Sequence, residues 1–182
     1  MLKEDATGSP HLLYSAPETS GNLVHHAVHL SRFREICGRR PSDSSFVLEF
    51  GGGYGSVCRL VHRRGFNGRY VIFDLPEFSI LQRFYLQSIG LNINETKDFS
   101  AVSSGIFLVS SEDDLRTILD QAGSDKLMIA TWSISETPLK FREQFFRLVG
   151  AFESYLLAYQ AEFNEIDNSK YFSTWRSAQA HV

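Results

Sequence analysis

A glycine-rich turn and an acid some twenty residues beyond it are the features whose types and spacing point to chemistry. The apolar run Phe46-Val47-Leu48-Glu49-Phe50 leads into Gly51-Gly52-Gly53-Tyr54-Gly55. Without Cβ atoms such a backbone can turn sharply and let a ligand come close. Asp74 ends the next apolar run, Tyr70-Val71-Ile72-Phe73. A carboxylate at that place can accept hydrogen bonds from both hydroxyls of a ribose. Glycines followed by that acid read as a ribonucleoside site at the carboxyl ends of two strands. The plainer alternative is a tight strand-to-helix turn, with Asp74 only capping the next helix.

Spacing separates the nucleotide classes. A nicotinamide fingerprint places glycines at positions one, three and six. Here Gly51, Gly53 and Gly55 stand at one, three and five, and Ser56 holds the sixth place. A hydride-transfer enzyme is therefore disfavoured, and no Tyr-x-x-x-Lys pair supports one.

The elements that must position these residues follow from periodicity. The stretch to about Pro17 contains Gly8-Ser9-Pro10 and Ala16-Pro17 and reads as an extended or loop entry. Leu23, Ala27, Leu30, Phe33 and Cys37 recur every three to four residues, which predicts a helix over 22–37. Short apolar runs at 46–50, 70–73, 106–109, 127–131 and 155–159 then alternate with helical stretches at 56–64, 77–89, from 111 and 138–149. In the second of these helices Phe78, Leu81, Phe84, Tyr85 and Ile89 are expected to face inward. Ser111 with Asp114 approximates a capping box for the third. Strand and helix in alternation predict an α/β domain with a doubly wound, mainly parallel sheet. We divide the chain into residues 1–45, a loop and a helix that could act as a lid, and residues 46–182, the ligand-binding domain.

Composition excludes several other classes. The 182 residues carry 18 Lys and Arg against 21 Asp and Glu, a formal charge of −3. That balance, without a basic block, argues against nucleic acid as the main partner. No apolar run approaches membrane-spanning length. The opening Met1-Leu2-Lys3-Glu4-Asp5 lacks the apolar core of a signal peptide. Cys37 and Cys58 are too few for a disulfide framework. The expectation is a cytoplasmic protein with reduced thiols and no membrane partner.

The glycine loop with Glu49 two residues before it resembles the (E/D)-x-G-x-G-x-G motif of class I methyltransferases. The resemblance narrows further. Val47-Leu48-Glu49-Phe50-Gly51, Phe73-Asp74-Leu75-Pro76-Glu77 and Thr131-Trp132-Ser133-Ile134-Ser135-Glu136 together resemble the sugar O-methyltransferase family, over about residues 46–172. The resemblance implies S-adenosylmethionine as cofactor and methyl donor, and no obligatory metal. It implies a small-molecule or saccharide hydroxyl as acceptor. By it, Glu49, Gly51, Gly53, Tyr54, Gly55, Asp74, Leu75, Ser110 and Thr131 are the candidate donor-binding residues, with Asp98 near the adenine. Such domains usually add a helix and a strand hairpin after the fifth strand. The short stretch after Gln160 leaves little room for these, so the sheet is expected to lack its last strands. A donor-binding but inactive module or fragment is the alternative function.

An alcohol acceptor must lose its proton near the transition state. Glu136, after the fourth strand, is the best-placed base, and it could equally cap the helix that follows. His25 and His29 share a helical face with each other, as do His26 and His29. They are the other candidate bases, or else a solvated or partly packed helix face. Two histidines four apart can ligate zinc, but no third ligand is evident. Tyr159, Gln160, Asn164, Asn168, Tyr171, Phe172 and Trp175 would suit a saccharide, a homo-oligomer interface or simple cover for the sheet.

Overall fold

A computed structural model describes residues 2–179. The ends of the two sequence-derived segments, residue 1 and residues 180–182, lie outside them. The N-terminal stretch, expected as an extended or loop entry, contains a hairpin, β1 (Leu12–Leu13) with β2 (Ala16–Ser20). Helix α1 (Gly21–Cys37) follows, with the Ser20 hydroxyl accepting from the Leu23 amide and Gly38 closing it in the left-handed conformation.

The main domain then alternates as the sequence predicts. It runs β3 (Phe46–Phe50), α2 (Ser56–Arg63), β4 (Arg69–Phe73), α3 (Pro76–Ser88), β5 (Ile93–Asn94), β6 (Gly105–Val109), α4 (Glu112–Leu119), β7 (Lys126–Thr131), α5 (Leu139–Val149) and β8 (Ser154–Ala158). A small hairpin, β9 (Glu162–Phe163) and β10 (Ile166–Asp167), leads into α6 (Asn168–Gln179). Strand β5 is too short to give a periodic signal and escapes sequence reading.

The six-stranded sheet has the order β5-β6-β4-β3-β7-β8, and every pairing is parallel. The winding reverses between β3 and β7, the switch point where doubly wound sheets place ligands. Among the described residues no antiparallel strand joins this sheet. Alternate side chains of each strand enter separate cores. Val47, Tyr70, Ile72, Leu127 and Ile129 pack beneath α1, α2 and α3. Phe46, Leu48, Val71, Met128 and Ala130 pack beneath α4, α5 and α6. Both faces are covered, so the strands read as unbroken apolar runs.

Helix α3 departs from expectation. Phe78, Leu81 and Phe84 are 42%, 44% and 63% exposed, while Gln82, Tyr85 and Leu86 are buried. Both stripes have helical spacing. The buried one is selected because it carries Gln82, whose amide bonds to groups at the edge of the sheet.

The N-terminal segment is fastened by charge. The guanidinium of Arg59 in α2 is fully buried and pairs with Glu4 at 2.7 Å and Asp5 at 2.7 Å. It also donates to the Lys3 carbonyl, while the Ser20 hydroxyl donates to Glu4. Removing Arg59 would leave the buried Glu4 carboxylate without its cation, which typically costs several kcal/mol. Arg59→Met should therefore destabilise the fold by roughly 3–5 kcal/mol in chemical denaturation, and loss of under about 1 kcal/mol would show the segment to be loosely held.

Candidate active site

The ends of the strands bring the candidate residues into one row. The Gly51 amide donates to the Phe73 carbonyl at 2.9 Å, and the Asp74 amide to the Val109 carbonyl at 3.0 Å. These bonds continue the ladder past the strands. Following the sheet order, Ser110, Asp74, Gly51 and Thr131 therefore stand along its carboxyl edge.

The glycine turn has two distinct steric requirements. Gly51, Gly53 and Gly55 have φ of +66°, +56° and +100°, a region costly for residues with a Cβ. A Cβ at Gly51 would lie 2.3 Å from the Ser133 Cβ, in the loop after β7. A Cβ at Gly53 would meet nothing within 4 Å. Gly51 thus serves chain packing, and Gly53 faces open space that a ligand could fill. Tyr54 stands edge-on to Tyr85, with ring centres 4.8 Å apart, and its hydroxyl accepts from the Asn22 amide of α1 at 3.1 Å.

Asp74 is tied to that turn. Its Oδ2 accepts from the Gly53 amide at 3.2 Å and from Gln82 Nε2 at 2.8 Å. Its Oδ1 accepts from the Leu75 amide at 2.8 Å and has capacity for another donor. Partial burial pushes the Asp74 carboxyl above its usual range, and these hydrogen bonds pull it back. The capping alternative fails in its simple form, because no side chain caps the start of α3. The side chain of Leu75 is exposed, and the Ser110 hydroxyl lies 2.8 Å from that of Ser79 on α3. Asp98 falls in the short 3₁₀ turn Thr96–Asp98 before β6.

Glu49 lies beneath the turn. It is buried, accepts from the Tyr70 hydroxyl at 2.7 Å, and would be 3.3 Å from a Cβ at Gly52. Burial raises its carboxyl to about 7, opposed by the Tyr70 bond and reinforced by Asp74. Its contacts in this structure support the loop from below.

The histidines gather around Trp132. Rings of His25, His26 and His29 lie 5.7, 6.0 and 5.4 Å from its indole. Trp132 itself is held at φ +65°, with its amide donating to the Ala158 carbonyl at 2.6 Å. His26 is buried against the Ser56 hydroxyl at 3.0 Å, and burial with its histidine neighbours lowers it to about 4. His29 Nε2 is buried without a hydrogen-bond partner. His26 is thus on the packed part of the helix face. Among the described residues no three His, Cys, Asp or Glu side chains are grouped to hold a metal ion, and no helix is long and apolar enough to cross a membrane.

Glu136 lies in the 3₁₀ turn Ser133–Glu136 and is exposed, accepting from Gln160 Nε2 at 3.3 Å. The turn is organised by Arg142, fully buried, which donates to the carbonyls of Ser135 and Thr137 and to Asn168 Oδ1. This buried arginine gave no sequence signal, since its neighbours in α5 have ordinary amphipathic spacing. The C-terminal aromatics cover the sheet. Phe172 is buried and stacks on Tyr159 at 4.5 Å, while Trp175 packs on Phe146 and Tyr155. Asn168 is buried in the Arg142 network. Of the residues named for this stretch, Asn168 and Phe172 are buried, while Tyr159 and Asn164 are exposed.

A cleft of about 590 Å³ lies beside the turn, walled by Glu4, His11, Asn22, Tyr54, Leu81 and Phe84. Of the candidate donor residues only Tyr54 lines it.

No family model matches the chain, and no curated protein does. Solved structures do resemble it, among them the following three. The SAH-bound methyltransferase PaMTH1 of Podospora anserina is 14% identical, with a TM-score of 0.47 over 78% of this chain and 53% of that one. PigF with SAH is 16% identical, with a TM-score of 0.43 over 70% and 34%. The mitomycin 7-O-methyltransferase MmcR is 18% identical, with a TM-score of 0.29 over 74% and 46%. The chain thus spans between about a third and about half of the proteins it resembles.

Two predictions separate these roles. Gly51→Ala combines strain with a clash and should cost roughly 2–5 kcal/mol in denaturant unfolding, against roughly 1–2 for Gly53→Ala. Glu49 and His26 act oppositely with pH. The raised Glu49 carboxyl stabilises most below its ordinary value near 4.5 and loses that contribution as pH rises through about 7. The lowered His26 contributes above its ordinary 6.5 and loses it as pH falls towards about 4. Glu49→Gln keeps an acceptor for Tyr70 and removes the first slope. Its stability should climb between about pH 4 and 6.5 more steeply than the parent's, with a relative gain on the order of 2–3 kcal/mol by about pH 8.

Proposed function

We propose that this chain binds S-adenosylmethionine at the carboxyl edge of its sheet and takes part in methyl transfer to a hydroxyl. The observation that carries the reading is the bond between the Asp74 carboxylate and the Gly53 amide, set beside open space at Gly53. It joins a diol acceptor to a turn that admits a ligand closely. Asp74 would hold the ribose hydroxyls, with Oδ1 the oxygen that has capacity to spare. Gly51, Gly53 and Gly55 shape the backbone beside it, and Tyr54 would flank the methionine end. Leu75 and Ser110 would border the adenine, and Thr131 the far side. When bound, the donor supplies an electrophilic methyl carbon on a sulfonium. The chain's own contribution is to fix donor and acceptor in line, a term that can reach ~7–11 kcal/mol, and to accept the hydroxyl proton.

Glu136, His25 and His29 are the proposed proton acceptors. His29 has the stronger support of the two histidines, since its Nε2 is unpartnered and its lowered basicity keeps it neutral and able to accept at pH 7. The sugar character of the acceptor rests on the motif resemblance. A binding module without turnover is the second reading, favoured by the exposure of Glu136.

Calorimetric titration with S-adenosylhomocysteine, and separately with NAD, tests the donor class. Asp74→Ala should weaken S-adenosylhomocysteine binding by roughly 1.5–3 kcal/mol, as for loss of hydrogen bonds to a charged acceptor. NAD should not bind measurably. Unchanged affinity in a folded variant, or preference for NAD, refutes the reading. Glu136→Gln should retain donor affinity and lose about 10²–10⁴ in rate on any hydroxyl the parent methylates, and normal turnover would transfer the role to His25 or His29.

A further inference from the structure

Gln82 is buried in α3, eight positions after Asp74, and faces the sheet where the spacing of α3 had suggested an apolar stripe. Its Nε2 carries two protons and uses both. One goes to the Gly53 carbonyl at 2.9 Å and the other to Asp74 Oδ2 at 2.8 Å. The same peptide region returns a bond, since the Gly53 amide donates to that Oδ2 at 3.2 Å. Three groups from three elements thus close a ring of hydrogen bonds. The amide cannot be reversed, because its oxygen would then face a carbonyl and a carboxylate.

That orientation leaves Gln82 Oε1 buried without a partner among the described residues. An orphaned buried acceptor typically costs ~1–3 kcal/mol. Such groups call for an explanation other than packing. A leucine of similar size would remove the orphan, but would leave Gly53 and Asp74 each short of a donor.

We infer that Gln82 is a positioning residue for the donor site, locking the Asp74 carboxylate to the glycine turn so that both meet a ribose diol in one fixed geometry. The inference rests on the donor reading above. Neither a carboxylate nor a lysine could replace it without changing charge at Asp74, and serine is too short to bridge the two acceptors. The titratable groups at this junction are Asp74 and, beneath Gly52, the buried Glu49.

Gln82→Glu and Gln82→Leu test it. Protonated, the introduced carboxyl can still donate to Asp74. Ionised, it repels that carboxylate, and the two share one proton with a raised upper titration. Affinity for S-adenosylhomocysteine is measured from about pH 5 to 8.5 as a ratio to the parent, so that Glu49 titration cancels. Gln82→Glu should lie within a few-fold of the parent at about pH 5 and fall at least about tenfold by pH 8.5. Gln82→Leu should be weaker by at least about tenfold at every pH. A pH-independent ratio for Gln82→Glu in folded protein overturns the inference, because a merely structural role has no reason to follow the proton. Amide exchange at Gly53 in ligand-free protein is the second measurement. It should quicken in Gln82→Leu, and in Gln82→Glu only as pH rises. A parent that binds no S-adenosylhomocysteine refutes the donor reading and the ribose half of this inference, while unchanged Gly53 exchange overturns the locking itself.

Discussion

The carboxylate of Asp74 is where three elements of this fold meet. It accepts from the turn after β3, from the second residue past β4 and from the middle of α3. A carboxylate in a partly buried setting needs donors, and backbone amides at strand ends have none left to pair with inside the sheet. The need is mutual, so the junction forms wherever the chain brings the two together. Its consequences spread outward. Gln82 must face the sheet, which turns Phe78, Leu81 and Phe84 to the outside of α3 and supplies an apolar wall for the cleft beside Tyr54.

A second constraint acts across the switch point. Gly51 lies against Ser133, whose hydroxyl donates to the Phe50 carbonyl at 2.5 Å. The loop after β7 is therefore seated on the loop after β3, and Trp132 is carried at positive φ to the histidines of α1. Behind it, Arg142 binds the carbonyls of the 3₁₀ turn and reaches Asn168 of α6. The candidate bases and the candidate donor residues occupy one edge because two glycine-dependent contacts and one buried arginine hold the intervening loops there. The N-terminal segment is added by the Arg59 pairs, which place Asn22 on the hydroxyl of Tyr54.

Buried ionisable groups surround this edge, and their shifts have different causes. Glu49 is raised by burial in the core beneath the turn, and His26 is lowered by burial and by two neighbouring imidazoles. Each favours its neutral form, which limits charge within a poorly solvated region. Burial lowers His26 and His29 beside Trp132, which keeps a lone pair on each available near neutral pH, a property that any proton acceptor there requires.

The alternation of short apolar runs with helical stretches determined the doubly wound parallel sheet, because strand and helix periods are local properties of the chain. The glycine turn and Asp74 were legible for the same reason, since φ above zero and an acid at a strand end are written in single residues. What only tertiary structure decided is which way each helix faces and what it meets. Helix α3 has two stripes of equal spacing, and its rotation depends on a bond from Gln82 to residues eight and twenty-nine positions away. The encounter of His25, His26 and His29 with Trp132 likewise joins segments more than a hundred residues apart. The C-terminal aromatics read equally well as a binding face or as cover until the sheet offered them a surface to bury. Periodicity records how a segment can fold, whereas the partner of a polar or aromatic side chain is chosen by the free energy of burial against the rest of the chain.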